Sequence, residues 1–152
     1  MDSVVRMNAS LHRTMDDINH MTKIDWRKHV SVFHALDHAD EPEALILSEP
    51  ADAAAVAAWE KFIGRAMPEE FRSFYTTHDG FGAMFDDEVE WFFLPLAMMP
   101  EFATEIRGTF EGTHPDLAKR FVPFADWGTG DACGYLYGES GEREEGIYLF
   151  EH

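Results

Sequence analysis

Two histidines four residues apart, His34 and His38, with Asp37 and Glu41 beside them, are a first place where side chains of this sequence could act together. On one helix that spacing can turn two imidazoles toward a single metal ion. No HExxH pattern accompanies them and the sequence identifies no third ligand, so the competing reading is an exposed polar helix face. Gly128-Thr129-Gly130-Asp131 has glycines like those of a phosphate loop. It lacks that motif's longer spacing and its lysine, and no helix follows, which favours a turn between strands. Cys133 is the single cysteine. As a nucleophile it would need a neighbouring base, and His78 and His114 are the candidates. A thiol in mid-strand among aromatics reads more simply as a buried structural group.

The acids offer more. Asp86, Asp87, Glu88 and Glu90 lie beside Trp91; Asp126 and Asp131 flank Trp127; Glu139, Glu142, Glu144 and Glu145 surround Arg143. Paired carboxylates can serve as acid and base, as in glycoside hydrolysis. Such runs are also ordinary solvated loops. The third reading is a protein-binding edge, because tryptophan beside charge is favoured at interfaces. On that reading Trp91 or Trp127 is the anchor, with Asp86, Asp87, Glu88, Glu90, Asp126 and Asp131 as acidic neighbours. Either tryptophan can instead be core, and Trp91, which alternates into a strand, reads more readily as core than as anchor. No catalytic, metal or cofactor set is assigned.

The elements that must position these residues centre on Pro50–Gly82. Asp52 is placed to cap a helix whose Val56, Trp59 and Ile63 form an apolar stripe, and Gly64 ends it. Pro68 is expected at the first position of a second helix, with Glu69 and Glu70 at its positive end. Phe71, Phe74, Tyr75 and His78 make the next stripe, and Asp79-Gly80 a turn. The two helices should pack Trp59, Ile63, Phe71 and Phe74 on one face of a mainly antiparallel sheet.

Upstream, Thr22–His38 reads as a helix capped by Thr22, with Asp25 at the capping-box position and Trp26, Val30 and Phe33 as its stripe. Residues 1–21 are polar and methionine-rich, a loosely held helix or an over-long start. Leu45-Ile46-Leu47 is short and apolar. Downstream, Phe85–Glu88 reads as a turn. In the strand after it, Val89, Trp91 and Phe93 alternate with Glu90, Phe92 and Leu94. Glu101–Phe110 is expected as a helix, Asp116–Arg120 as one more turn of helix, and 121–125, 132–137 and 147–150 as strands. Pro123 points to an edge or a bulge. The class is α+β.

The residues of the central stretch, Pro50, Ala51, Asp52, Val56, Glu60, Ile63, Gly64, Met67, Pro68, Glu69, Glu70, Phe71, Tyr75, Asp79 and Gly80, carry a resemblance. So do Val122-Pro123-Phe124-Ala125, Gly130-Asp131 and Tyr148–His152. The pattern resembles the SUKH superfamily, the Smi/Knr-like domains. It covers about 45–152, leaving 1–44 as an N-terminal helical extension packed with it as one globular unit. Met67 replaces the usual leucine, and the further C-terminal helix of family members has no counterpart. Unless the N-terminal segment substitutes for that helix, one apolar patch of the sheet is expected to stay open and to favour self-association. The resemblance implies a SUKH-like sheet packed against helices and a non-enzymatic binding module. Many bacterial members are immunity proteins against toxins, often nucleases, and the fungal relative is a scaffold. A cognate protein toxin, such as a basic nuclease, is therefore the expected partner. A scaffold without a toxin is the alternative, and an acid/base or metal-assisted hydrolase the outsider.

Composition narrows the partners. Twelve Lys+Arg against 29 Asp+Glu give a net charge of −17. Too few cations remain to neutralise a run of phosphates, so neither nucleic acid nor an anionic membrane is expected. The acidity serves solubility or complements a basic partner. A single cysteine fits a reducing compartment, and the sequence begins without an apolar leader, so a cytoplasmic location is expected.

Overall fold

The structure, a computed structural model, describes residues 3–7 and 23–152. Among these, the chain runs β1 (Ser3–Met7), α1 (Trp26–Asp37), a 3-10 turn (Pro42–Ala44), β2 (Leu45–Leu47), α2 (Ala53–Ile63), α3 (Glu69–Tyr75), β3 (Phe81–Phe85) and β4 (Glu88–Phe93). It continues through α4 (Met99–Phe110), α5 (Pro115–Arg120), β5 (Phe121–Asp126), β6 (Ala132–Leu136) and β7 (Ile147–Glu151). The strands form one sheet in the order β1-β7-β6-β5-β4-β3-β2, and every pairing is antiparallel. From β2 to β7 the sheet is therefore a meander, each strand beside its successor. The α+β expectation holds.

Helix ends follow from local chemistry. Asp52 caps α2, its Oδ1 accepting from Ala55 N at 2.7 Å, and Gly64 ends it in the left-handed region at φ 73°. Pro68 stands one residue earlier than expected, as the N-cap of α3, with extended ψ of 143°. The two helices are tied by Glu60, whose carboxylate accepts from Met67 N at 2.9 Å and pairs with Arg72. For α1 the expected cap is corrected. Asp25, not the capping-box partner of Thr22, is the N-cap, accepting from Lys28 N at 3.1 Å, and residues 23–25 are not helical. Thr22 lies outside the described residues.

Trp59, Ile63, Phe71 and Phe74 are all buried, as the apolar stripes require. Both faces of β5 and β6 are covered, which is why they read as unbroken apolar runs. Tyr135 meets Phe71 of α3, and Phe121, next along from Tyr135's partner Val122, meets Phe110 of α4. Pro123 sits at a register shift in β5, so its missing N–H is absorbed by a bulge inside the sheet rather than at an edge.

Three further expectations change. Phe81 pairs with Phe93 and Gly82 with Trp91, so Phe92 is an extra residue on β4. This bulge breaks the strict alternation of Val89–Leu94 and lays the Phe92 and Phe93 rings side by side, 5.5 Å apart and 17° from parallel. Gly82 is needed opposite it, because a Cβ there would run into the backbone of Glu90 and Trp91. Next, Ser3–Met7 is a strand, not helix, and it occupies the edge of β7. Finally, the open apolar patch is set aside by its own condition, because the N-terminal segment takes the place beside β7. Among residues 23–152 the large exposed apolar side chains are Val32, Leu36, Phe62, Met84, Met98 and Trp127, none of them on β6 or β7. Phe150 is buried under Phe110, ring centroids 4.8 Å apart.

The β3–β4 turn places Asp86 and Asp87 at φ 48° and 64°. Two successive positive φ values define the type I′ hairpin turn, which suits an asparagine followed by a glycine best. The double substitution Asp86→Asn with Asp87→Gly is therefore expected to stabilise the fold by ~0.5–1 kcal/mol, read from a shift of the urea midpoint at unchanged slope.

Candidate protein-binding cleft

The end of α1 leans over the β3–β4 hairpin and the turn after β5, and the three enclose a cleft of about 180 Å³. Phe33 comes from the apolar stripe of α1. It meets Phe92 at 4.7 Å and Phe81 at 5.9 Å between centroids. Phe92 reaches Trp127 edge-on at 5.0 Å, and His38 meets Phe85 at 5.1 Å. Trp91 is half-buried along the same wall, whereas Trp127 is 41% exposed. Asp37, Glu90 and Asp126 supply the charge, and among the described residues no lysine or arginine lines the cleft.

Of the acids and tryptophans singled out in the sequence, the fold gathers Glu90, Trp91, Asp126 and Trp127 here. Asp86 and Asp87 at the hairpin tip, and Glu88 at the first residue of β4, stand outside the lining and are all exposed. Asp131 is also outside it. Its Oδ1 accepts from His152 N and Nδ1 at 3.1 and 2.9 Å, and its Oδ2 from Thr129 Oγ1 at 3.0 Å. These bonds from His152, then Thr129, hold the Asp131 carboxyl below the usual carboxylate range.

A family model completes this description: the SMI1/KNR4 family (SUKH-1) matches residues 50–152. The chain belongs to that family. No curated protein matches it. The SUKH-1 domain supplies the hairpin and turn walls of the cleft, and α1, N-terminal to the matched residues, supplies the third.

The other chemistries weighed above find specific places in this SUKH-1 chain. His34 is not on an exposed face: it is 7% exposed, with Nε2 3.0 Å from the Glu41 carbonyl and its ring 5.0 Å from His38. A carbonyl only accepts, so Nε2 carries the proton in the neutral ring. Among the described residues no group of three or more His, Cys, Asp or Glu is arranged to hold a metal. The Gly128–Asp131 segment is a turn, closed by Trp127 N to Asp131 O at 3.1 Å and by Asp126 Oδ1 accepting from Gly128 N at 2.7 Å. Its inward carboxylates suit it poorly to phosphate. Cys133 is buried, and burial pushes its thiol up despite the hydrogen bond from Trp127 Nε1 at 3.2 Å. That opposes a nucleophilic thiolate. His78 is engaged with the Ser48 carbonyl and His114 with Thr113. No helix among the described residues is long and apolar enough to cross a membrane.

Asp37 and His38 escaped the sequence reading as cleft residues, because only the crossing of α1 over the hairpin brings them there. Phe33 was visible in the helical stripe, but nothing local marked Phe92 as its partner.

Proposed function

We propose that this SUKH-1 protein is a non-enzymatic binding module, an immunity protein that covers a cognate bacterial toxin domain through the cleft between α1, the β3–β4 hairpin and the turn after β5. The observation that carries the reading is the cleft's pairing of aromatic walls with an acidic rim to which, among the described residues, no lysine or arginine contributes. At about 180 Å³ it is smaller than the ~300–1,000 Å³ of most small-molecule sites. It suits one side chain of a protein partner, and a lysine or arginine can stack on the rings while facing the carboxylates. The net charge of −17 favours the same class of partner, a basic protein such as a nuclease.

The test is a search of the neighbouring genes for a toxin domain and co-expression with any found there, followed by stopped-flow association of the purified pair. Rescue of growth is expected. The association rate should fall ~10-fold or more from low to physiological and higher salt, because steering acts over only ~8 Å at 0.15 M. A salt-insensitive rate would remove the acidic cleft from the encounter. Failure to rescue, with a non-toxic partner bound instead, would favour the scaffold reading.

A further inference from the structure

Away from the cleft, three arginines of this acidic chain gather around Tyr137 and Phe121. The Arg65 guanidinium lies over the Tyr137 ring, 3.8 Å from its centroid. Arg120 Nη1 donates to the Tyr137 carbonyl at 2.8 Å, and Arg107 Nε donates to the Phe121 carbonyl at 2.8 Å. Their other contacts among the described residues are also neutral: Arg65 reaches the carbonyls of Ile63 and Gly141, and Arg107 faces the Phe62 ring at 5.8 Å. The ion pairs among the described residues, Arg72–Glu60, Arg143–Glu70 and His152–Asp131, include none of the three.

That is costly in two ways. Burial, then the neighbouring charge of Arg65, lowers the Arg107 pKa, so two guanidinium groups are held close enough to repel. Arg120 Nε is buried with no hydrogen-bond partner, a donor unmet inside the protein. The Glu142 carboxylate lies against Gly138, next along from Tyr137, yet among the described residues it forms no ion pair with any of the three.

We infer that Arg65, Arg107 and Arg120 form a binding site for a phosphate-type oxyanion. Guanidinium forks present paired N–H donors that match such oxygens, and a dianion offsets the repulsion between neighbouring cations. The −17 of the whole molecule does not forbid this, since exposed charges beyond ~8 Å are largely screened at physiological salt. The site is independent of the toxin-binding reading.

The test is calorimetric titration of the full chain at constant ionic strength, with inorganic phosphate, phosphoserine and acetate as separate probes. Saturable one-to-one binding of inorganic phosphate or phosphoserine is expected below ~10 mM, with acetate weaker by ~10-fold or more. The tighter of the two phosphates distinguishes a free ion from a phosphomonoester. Arg65→Gln should weaken binding ~10-fold or more, while Arg27→Gln on α1 should leave it unchanged. Arg107→Gln gives a second reading should Arg65→Gln fail to fold. The proposal is overturned by absence of saturation, by unchanged binding in both cluster variants, or by equal weakening in Arg27→Gln.

Discussion

Replacing Phe71 with alanine is expected to destabilise the protein by ~3–5 kcal/mol, enough to unfold a large fraction of a marginal domain. The ring is 5% exposed. It touches Tyr75 at 4.7 Å, Phe124 at 5.3 Å, Tyr135 at 6.0 Å and Phe93 at 6.2 Å, joining α3 to three strands. Three of the rings around it, Phe124, Tyr135 and Phe93, belong to separate strands held by their ladders, so they cannot collapse to refill the hole, and the cavity cost adds to the lost transfer energy. Equilibrium urea unfolding measures the loss. Val32→Ala, at a site 61% exposed, should stay within ~0.5 kcal/mol as a control. A loss below ~1 kcal/mol for Phe71→Ala would show that α3 does not anchor this face of the sheet.

Trp127→Ala is expected to cost ~2–4 kcal/mol of partner affinity, mainly as faster dissociation. The indole is 41% exposed yet fixed, edge-on to Phe92 and hydrogen-bonded to Cys133 Sγ. A held aromatic with an open face is what an anchor requires, because little side-chain entropy is left to lose on binding. Asp86 and Asp87 at the hairpin tip and Glu88 at the first residue of β4 stand outside the cleft, so changing all three to alanine should slow association and flatten its salt dependence while leaving dissociation nearly unchanged. Surface plasmon resonance separates the two rates. Full affinity after Trp127→Ala would move the anchor elsewhere; Trp91 would then be next to test.

The two predictions rest on parts of the molecule that differ in legibility. The pair α2–α3 could be read because its signals are local: Asp52 before the first helix, Gly64 after it, and stripes at helical spacing between. The start of α1 slipped because Thr22 and Asp25 are both competent caps, and only the observed hydrogen bond to Lys28 N selects Asp25. Strand β4 kept its position but not its simple alternation, because a bulge such as that at Phe92 is defined by the register of two strands rather than by one strand's sequence. In β5 the proline itself signalled an edge or a bulge, and the register shift beside Pro123 selects the bulge. The cleft was hidden for the same reason on a larger scale. Its walls come from residues 33–38, 81–92 and 126–128, and only the packing of α1 brings the first against the others. Glu90, Trp91, Asp126 and Trp127 were legible as acidic-aromatic pairs; their convergence was not.

The pairing of β1 with β7 sets a timetable for folding during synthesis. The meander from β2 to β7 can zip strand by strand as it emerges, since each new strand finds its neighbour already made. Strand β1 is translated before all of them and must wait for the last. At ribosomal rates the interval between Met7 and Ile147 is roughly 10–30 s. Through that interval the nascent chain carries an unpaired strand segment, and the fresh edge of β7 is then open to whichever strand arrives first. On a crowded polysome the competitor is the β1 of a neighbouring copy, so strand exchange between nascent chains is the misfolding route this topology invites.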